Sequence, residues 1–134
     1  MKVGILSFQG SFLDHAKSIS EIGFNPLLIK QTKDLDSIDA LILPGGESTA
    51  MKKINEFTGL LSNLDQIIKD GKPTLTTCAG TILLAKEVID GEESIPNIDI
   101  QVTRNAYGRQ TESFEGSVKF FDNEDIYCFI RAPK

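Results

Sequence analysis

At 134 residues the chain has room for one domain with a single buried core and little room for two. Hydrophobic residues at 40% and charged residues at 25% are ordinary values for a globular domain, and no apolar run approaches the length that crosses a bilayer. The net charge of -5 argues against nucleic acid and membrane as partners, because phosphate binding draws on clustered Lys and Arg that are not found here.

The amino terminus, Met1 to Gly10, carries one lysine and a short apolar run that stops at a polar, glycine-containing turn, too short for a signal-peptide core. Cys78 and Cys128 do not make a disulfide scaffold, and no C-x-x-C or Cys/His cluster suggests zinc. A reduced, cytoplasmic protein without metal or cofactor is the expectation.

Val3 to Phe8 reads as a strand buried on both faces. Ser11 can cap the helix that follows, in which Phe12, Leu13, Ala16, Ile19 and Ile22 recur at helical spacing until Gly23. The lone histidine, His15, borders that apolar face, and its ring is expected to pack along the helix edge rather than to serve catalysis. Pro26 to Lys30 and Ala40 to Leu43 give two more strands, with a brief connecting segment at Leu35 to Ile38.

Pro44 to Thr49 is a glycine turn running into a helix at about Thr49 to Ile54. Adjacent Gly45 and Gly46 can aim their N-H groups at a carboxylate, phosphate or oxyanion, and they can equally make a tight strand-to-helix turn. The lysine of a P-loop is missing. Phe57, Leu60, Leu61, Leu64, Ile67 and Ile68 form a core-facing helical stripe that ends at Gly71.

Thr74 to Thr77 reads as a buried strand and Ala79 to Val88 as a helix, so Cys78 falls on the sharp turn between them. That is the outline of a nucleophile elbow, with sulfur beside a helix amino end that favours the thiolate. The alternative is a small buried hydrophobe, as many free cysteines are. Asp90 to Asn97 is a surface loop, and Ile98 to Thr103 alternates as an edge or antiparallel strand does. Arg104 to Glu115 is a polar structured loop in which Arg104 and Arg109 could grip a carboxylate or remain solvated. Val118 to Phe121 and Ile126 to Ile130 flank Asp122 to Asp125 as a hairpin. Strands alternating with helices give an α/β domain with a mainly parallel sheet, a three-layer flavodoxin-like arrangement whose ligands gather at the carboxyl ends of the strands.

LSFQGSFLDH at 6 to 15, LPGGESTAM at 43 to 51, GKPTLTTCAGTILLAK at 71 to 86, RNAYGRQTESFE at 104 to 115 and FIRAP at 129 to 133 together resemble the glutaminase subunits of pyridoxal 5'-phosphate synthases, which are class I glutamine amidotransferases. The resemblance implies hydrolysis of L-glutamine by Cys78 through a glutamyl thioester, with ammonia passed to a barrel-type synthase subunit. It also implies oxyanion stabilisation by N-H groups near Gly45, Gly46 and Ala79. Gly45, Gly46, Glu47, Arg104, Ile130 and Arg131 would hold the substrate. Two departures stand out. Thr76 replaces the family's usual glycine, and a β-branched residue is expected to crowd the elbow. The family's catalytic His and Glu lie in an F-H-P-E-like segment that this sequence does not reach, so the domain is expected to be incomplete at its carboxyl-terminal end and to hold the nucleophile without its partners. The alternative is a non-catalytic binding or scaffold protein that keeps the pocket.

Overall fold

From Val3 onward the strand Lys2–Leu6 (β1) is fully buried, and an apolar run without alternation can be held only by a strand covered on both faces. The computed structural model describes residues 1–91, 94–130 and 133–134. It places β1 inside a four-stranded parallel sheet with Asn25–Ile29 (β2), Ala40–Leu43 (β3) and Thr74–Thr76 (β4), in the order β2-β1-β3-β4. Register is set by pairs such as Ile5↔Leu28, Ile5↔Ile42 and Ile42↔Leu75. The winding reverses between β1 and β3, and a crevice opens over their carboxyl ends at such a reversal.

Helices cover both faces, as the α/β reading requires. Phe12, Ala16 and Ile19 of Phe12–Glu21 (α1) pack on Val3, Ile5 and Ile42. On the opposite face Ser48–Thr58 (α2), Leu60–Lys69 (α3) and Ala79–Leu84 (α4) send Met51, Leu60, Leu64 and Leu83 against Leu6, Ile29, Leu41 and Leu43. Each such side chain contributes about 1.5–3 kcal/mol by leaving water, which makes this second layer the principal core.

Several local readings change. Ser11 occupies the capping position of α1, yet its side chain makes no capping hydrogen bond. The stripe from Phe57 to Ile68 is two helices, because Gly59 turns left-handed at φ 61° between them and leaves Phe57 90% exposed at the end of α2. In β4, Leu75 is exposed rather than buried, since β4 is the last strand of the described sheet and only one of its edges is paired.

The helix expected to reach Val88 stops at Leu84, and Ala85–Ile89 (β5) pairs in parallel with Ile98–Thr103 (β6). Ala85 and Val88 then join Ile82 and Val102 in a second small core, so packing overrides helical continuity where the chain turns β-branched. β6 is an edge strand of this two-stranded sheet, as its alternation suggested, and its pairing with β5 is parallel rather than antiparallel. Phe114–Phe120 (β7) and Asn123–Phe129 (β8) form the expected hairpin. Its strands are longer than their apolar residues indicated, because Asn123, Glu124 and Asp125 join the ladder and the turn shrinks to Phe121 and Asp122.

Candidate active site

Three turns leave the carboxyl ends of β1, β3 and β4 and touch one another. Gly10, at φ 91°, lies so close to the β3 turn that a Cβ there would stand 1.9 Å from the Gly45 carbonyl oxygen. No other residue permits that approach. The Ser11 N-H donates to the same carbonyl at 3.2 Å. The Glu47 N-H donates to Gln9 Oε1 at 2.7 Å, and Gly46, at φ 155°, leaves the space that this amide occupies.

The β4 turn is joined to β3 by the Thr77 N-H donating to the Leu43 carbonyl at 3.0 Å. Cys78 follows with φ 43° and ψ -105°, exposed, at the start of α4. A left-handed non-glycine residue of this kind stores on the order of 1–3 kcal/mol, which the neighbours must offset. This is the elbow read from the sequence. Its helix is shorter than expected, under two turns, so its dipole is correspondingly weaker. Thr76 does not crowd the turn: its Oγ1 lies 2.8 Å from Thr81 Oγ1, a hydroxyl pair that ties the strand before the cysteine to the helix after it.

Cys78 opens onto a cavity of about 520 Å³. Gly45, Gly46, Glu47, Arg104 and Ile130 line it with Cys78, so these anticipated site residues meet in one place. Arg131, the remaining member of that set, lies outside the described residues. Arg109 is not among the lining residues. Gln9, Ser11, Ser48, Ile82 and Asn105 are, and none of them was anticipated. Gln9 sits in the quoted FQG turn, but nothing in local spacing reveals that its amide reaches a turn 38 residues away.

Arg104 is held over the cavity by backbone and charge. Its N-H donates to the Ile89 carbonyl at 3.4 Å, and Nη2 lies 3.5 Å from Glu47 Oε1, with the two side chains 18% and 35% exposed. Glu47 also accepts from Thr49 Oγ1 at 3.2 Å. Tyr107, Phe114 and Phe129 pack together, with the last two rings stacked at 4.9 Å, and so tie the Arg104 loop to the base of the hairpin.

His15 does more than lie along its helix. Its Nε2 stands 3.2 Å from Thr77 Oγ1, across 62 residues of sequence. Among the described residues no group of three or more His, Cys, Asp and Glu side chains is placed to hold a metal, and no helix is long and apolar enough to cross a membrane. Among the described residues the cavity offers an exposed thiol, two glycines of the β3 turn, and the Arg104 guanidinium beside the Glu47 carboxylate. That set suits attack on a carbonyl of a small molecule bearing both charges.

Residues 5–134 match the SNO glutamine amidotransferase family. The chain belongs to this family. It is 48% identical to the pyridoxal 5'-phosphate synthase subunit PdxT of Clostridium beijerinckii, over 99% of this chain and 72% of that protein. It is 44% identical to the subunit of the same name from Thermosipho africanus, over the whole of this chain and 73% of that protein. Among solved structures, a crystal structure of a glutamine amidotransferase superposes with a TM-score of 0.86 at 34% identity, covering 98% of this chain and 71% of that one. The mainly parallel α/β fold of this chain is thus the fold of a glutamine amidotransferase.

Proposed function

We propose that this family member is the glutaminase subunit of a pyridoxal 5'-phosphate synthase, with Cys78 as its nucleophile. The observation that carries the reading is the left-handed, exposed Cys78 opening onto the same cavity as Gly45, Gly46, Glu47 and Arg104.

In this reading the Arg104 guanidinium receives the α-carboxylate of glutamine and Glu47 its α-ammonium, with Ile130 lining the same cavity, and the family resemblance adds Arg131 to the residues that hold the substrate. The Cys78 thiolate attacks the side-chain amide carbon, and the carbonyl electrons move onto oxygen. In this reading N-H groups near Gly45, Gly46 and Ala79 stabilise that developing charge, and each such donor is worth about 3 kcal/mol. Collapse of the tetrahedral adduct breaks the C-N bond and releases ammonia once the nitrogen has been protonated. Water then hydrolyses the glutamyl thioester, giving glutamate and the free thiol. Ammonia passes to a synthase subunit of barrel architecture.

The steps need a base for the thiol and an acid for the leaving nitrogen. No histidine is among the described residues that line the cavity. That observation favours a second reading for these 134 residues on their own: a glutamine-binding module that docks on the synthase without turnover.

The test is ammonia and glutamate release from L-glutamine by the chain, with and without the synthase subunit, beside Cys78→Ala. Cys78-dependent release supports the glutaminase reading. Saturable glutamine binding without release, in both conditions, supports the second. A chain that neither binds nor hydrolyses glutamine overturns both.

A further inference from the structure

Cys78 holds a backbone conformation that cysteine does not choose for itself. Its φ of 43° belongs to the left-handed region, so the peptide groups on either side must be fixed by their surroundings if sulfur is to stay aimed into the cavity. On the carboxyl side α4 does this: the Ile82 N-H donates to the Cys78 carbonyl at 3.1 Å, and Gly80 packs against β3. On the amino side the fixing residue is Thr77. Its N-H donates to the Leu43 carbonyl at 3.0 Å and its carbonyl accepts from the Gly80 N-H at 2.9 Å. Its hydroxyl lies beside Gly45, 3.7 Å from where a Cβ of that glycine would stand. Thr77 is thus the residue from which both the nucleophile and the glycine turn are referenced.

A threonine has competing χ1 positions, and what selects one is the partner of its hydroxyl. Here that partner is His15 Nε2 at 3.2 Å, half-buried with it, the donor being set by the ring tautomer. His15 can reach because α1 starts where β1 ends: Ser11 is tied to the Gly45 carbonyl, and one helical turn later the ring overhangs the end of β4. Phe12, Ala16 and Ile19 anchor the helix on the sheet, so the ring is delivered from a rigid support.

We propose that His15 is a positioning residue for the nucleophile: by fixing the Thr77 side chain it holds the elbow in the geometry from which Cys78 attacks. The proposal rests on the reading of Cys78 as the glutaminase nucleophile. It gives His15 no proton-transfer step, since its ring contacts Thr77 and acts through it.

The test is made in a Cys128→Ser background, so that labelling reports Cys78 alone. The chain is treated with the chloromethyl ketone analogue of glutamine, in which the thiolate displaces chloride and forms a thioether, and separately with iodoacetamide. His15→Ala and Thr77→Val each lower the limiting rate of labelling by the glutamine analogue about tenfold, with little change in its half-saturating concentration. The double variant is no slower than either single one, and His15→Gln, which can place an amide nitrogen near the position of Nε2, stays within about twofold of the unsubstituted chain.

Multiplying losses in the double variant overturn the proposal, as does a His15→Gln chain as slow as His15→Ala. Thr77→Val removes the hydroxyl at constant volume, so an unchanged limiting rate there overturns the proposal even if His15→Ala fails to fold. If the unsubstituted chain shows no saturable labelling by the glutamine analogue yet reacts with iodoacetamide, the glutaminase reading fails. The role of His15 is then decided by iodoacetamide alone: the same non-multiplying slowing supports it, and equal rates overturn it.

Discussion

Adding one methyl group at Gly80 tests whether the elbow is set by the approach of α4 to β3. A Cβ built at Gly80 stands 2.1 Å from the Leu43 carbonyl oxygen and 2.7 Å from its carbonyl carbon, both backbone atoms that cannot swing aside. Restoring a tolerable separation requires α4 to withdraw by about 1 Å. Overpacking of this kind costs about 1–3 kcal/mol, and a backbone obstacle puts Gly80→Ala at the upper end. The helical preference of alanine returns about 1 kcal/mol, which leaves a net loss of about 2 kcal/mol. At about 2.1 cal/mol/K per residue of unfolding entropy, that loss lowers Tm by about 7 °C for a chain of this length. Function suffers more than stability, because a misplacement of about 1 Å at a reacting group costs on the order of a hundredfold in rate. Thermal unfolding by circular dichroism and the limiting rate of Cys78 labelling by a glutamine-shaped electrophile give the two readings. A Gly80→Ala chain with Tm within about 2 °C of the parent and an unchanged labelling rate would refute the claim that this contact sets the elbow.

Arg104→Ala removes the guanidinium paired with Glu47 and leaves that carboxylate half-buried beside the cavity; glutamine binding measured by calorimetry weakens about 10- to 100-fold, with no comparable loss in Arg109→Ala. Cys78→Gly abolishes labelling and hydrolysis while relieving the left-handed strain, so its Tm rises by about 3 °C, the stored strain being partly offset by the extra freedom of glycine when unfolded; a lowered Tm would show that Cys78 is not strained. The Asp65 carboxyl is held below the ordinary range by its bond from Lys69 Nζ at 2.7 Å and then by the Asn97 amide at 2.8 Å. A depressed folded value stabilises fully above the unfolded value and is lost as pH falls through the folded one, so the Tm deficit of Asp65→Ala, about 3 °C at pH 7, closes as pH drops from about 4 through that lowered value; a deficit that widens with acid would reverse the sign. Thr76→Val deletes the hydroxyl bond to Thr81 at constant size and lowers Tm by about 3 °C, whereas an unchanged Tm would mean the pair is incidental to the elbow.

The parallel sheet was legible because its strands are short apolar runs without alternation, and Val3, Ile5, Leu41 and Ile42 are buried as such runs demand. Cys78 was placed between a strand and a helix even though β4 is not such a buried run, its Leu75 being exposed, and the turn after β3 was legible from its paired glycines. What sequence reading misplaced were elements decided by distant packing. Ala85 to Val88 continues a helical pattern on paper, but Val88 finds Ile82 and Val102 only when the segment becomes a strand. Phe57 fits the stripe of the following helix, but Gly59 rotates it out of register and into solvent.

The cavity shows the same division. Gly45, Gly46, Glu47, Arg104 and Ile130 were named as site residues from the family resemblance, whereas Gln9, Ser48 and Asn105, though inside the same motifs, join the cavity because the turns after β1, β3 and β6 converge there. His15 is the sharpest case. One residue before Ala16 on an amphipathic helix, it has every local mark of a packing residue. Its neighbour in space is Thr77, and that adjacency exists because β1 and β4 flank β3, so that a helix leaving β1 overhangs the end of β4. Periodicity reports which face of an element is buried; only topology reports which turn lies beneath its first residues. Convergence of the β1, β3 and β4 turns therefore explains both why the glycines at 10 and 46 tolerate no side chain and why a left-handed cysteine is held open to the cavity.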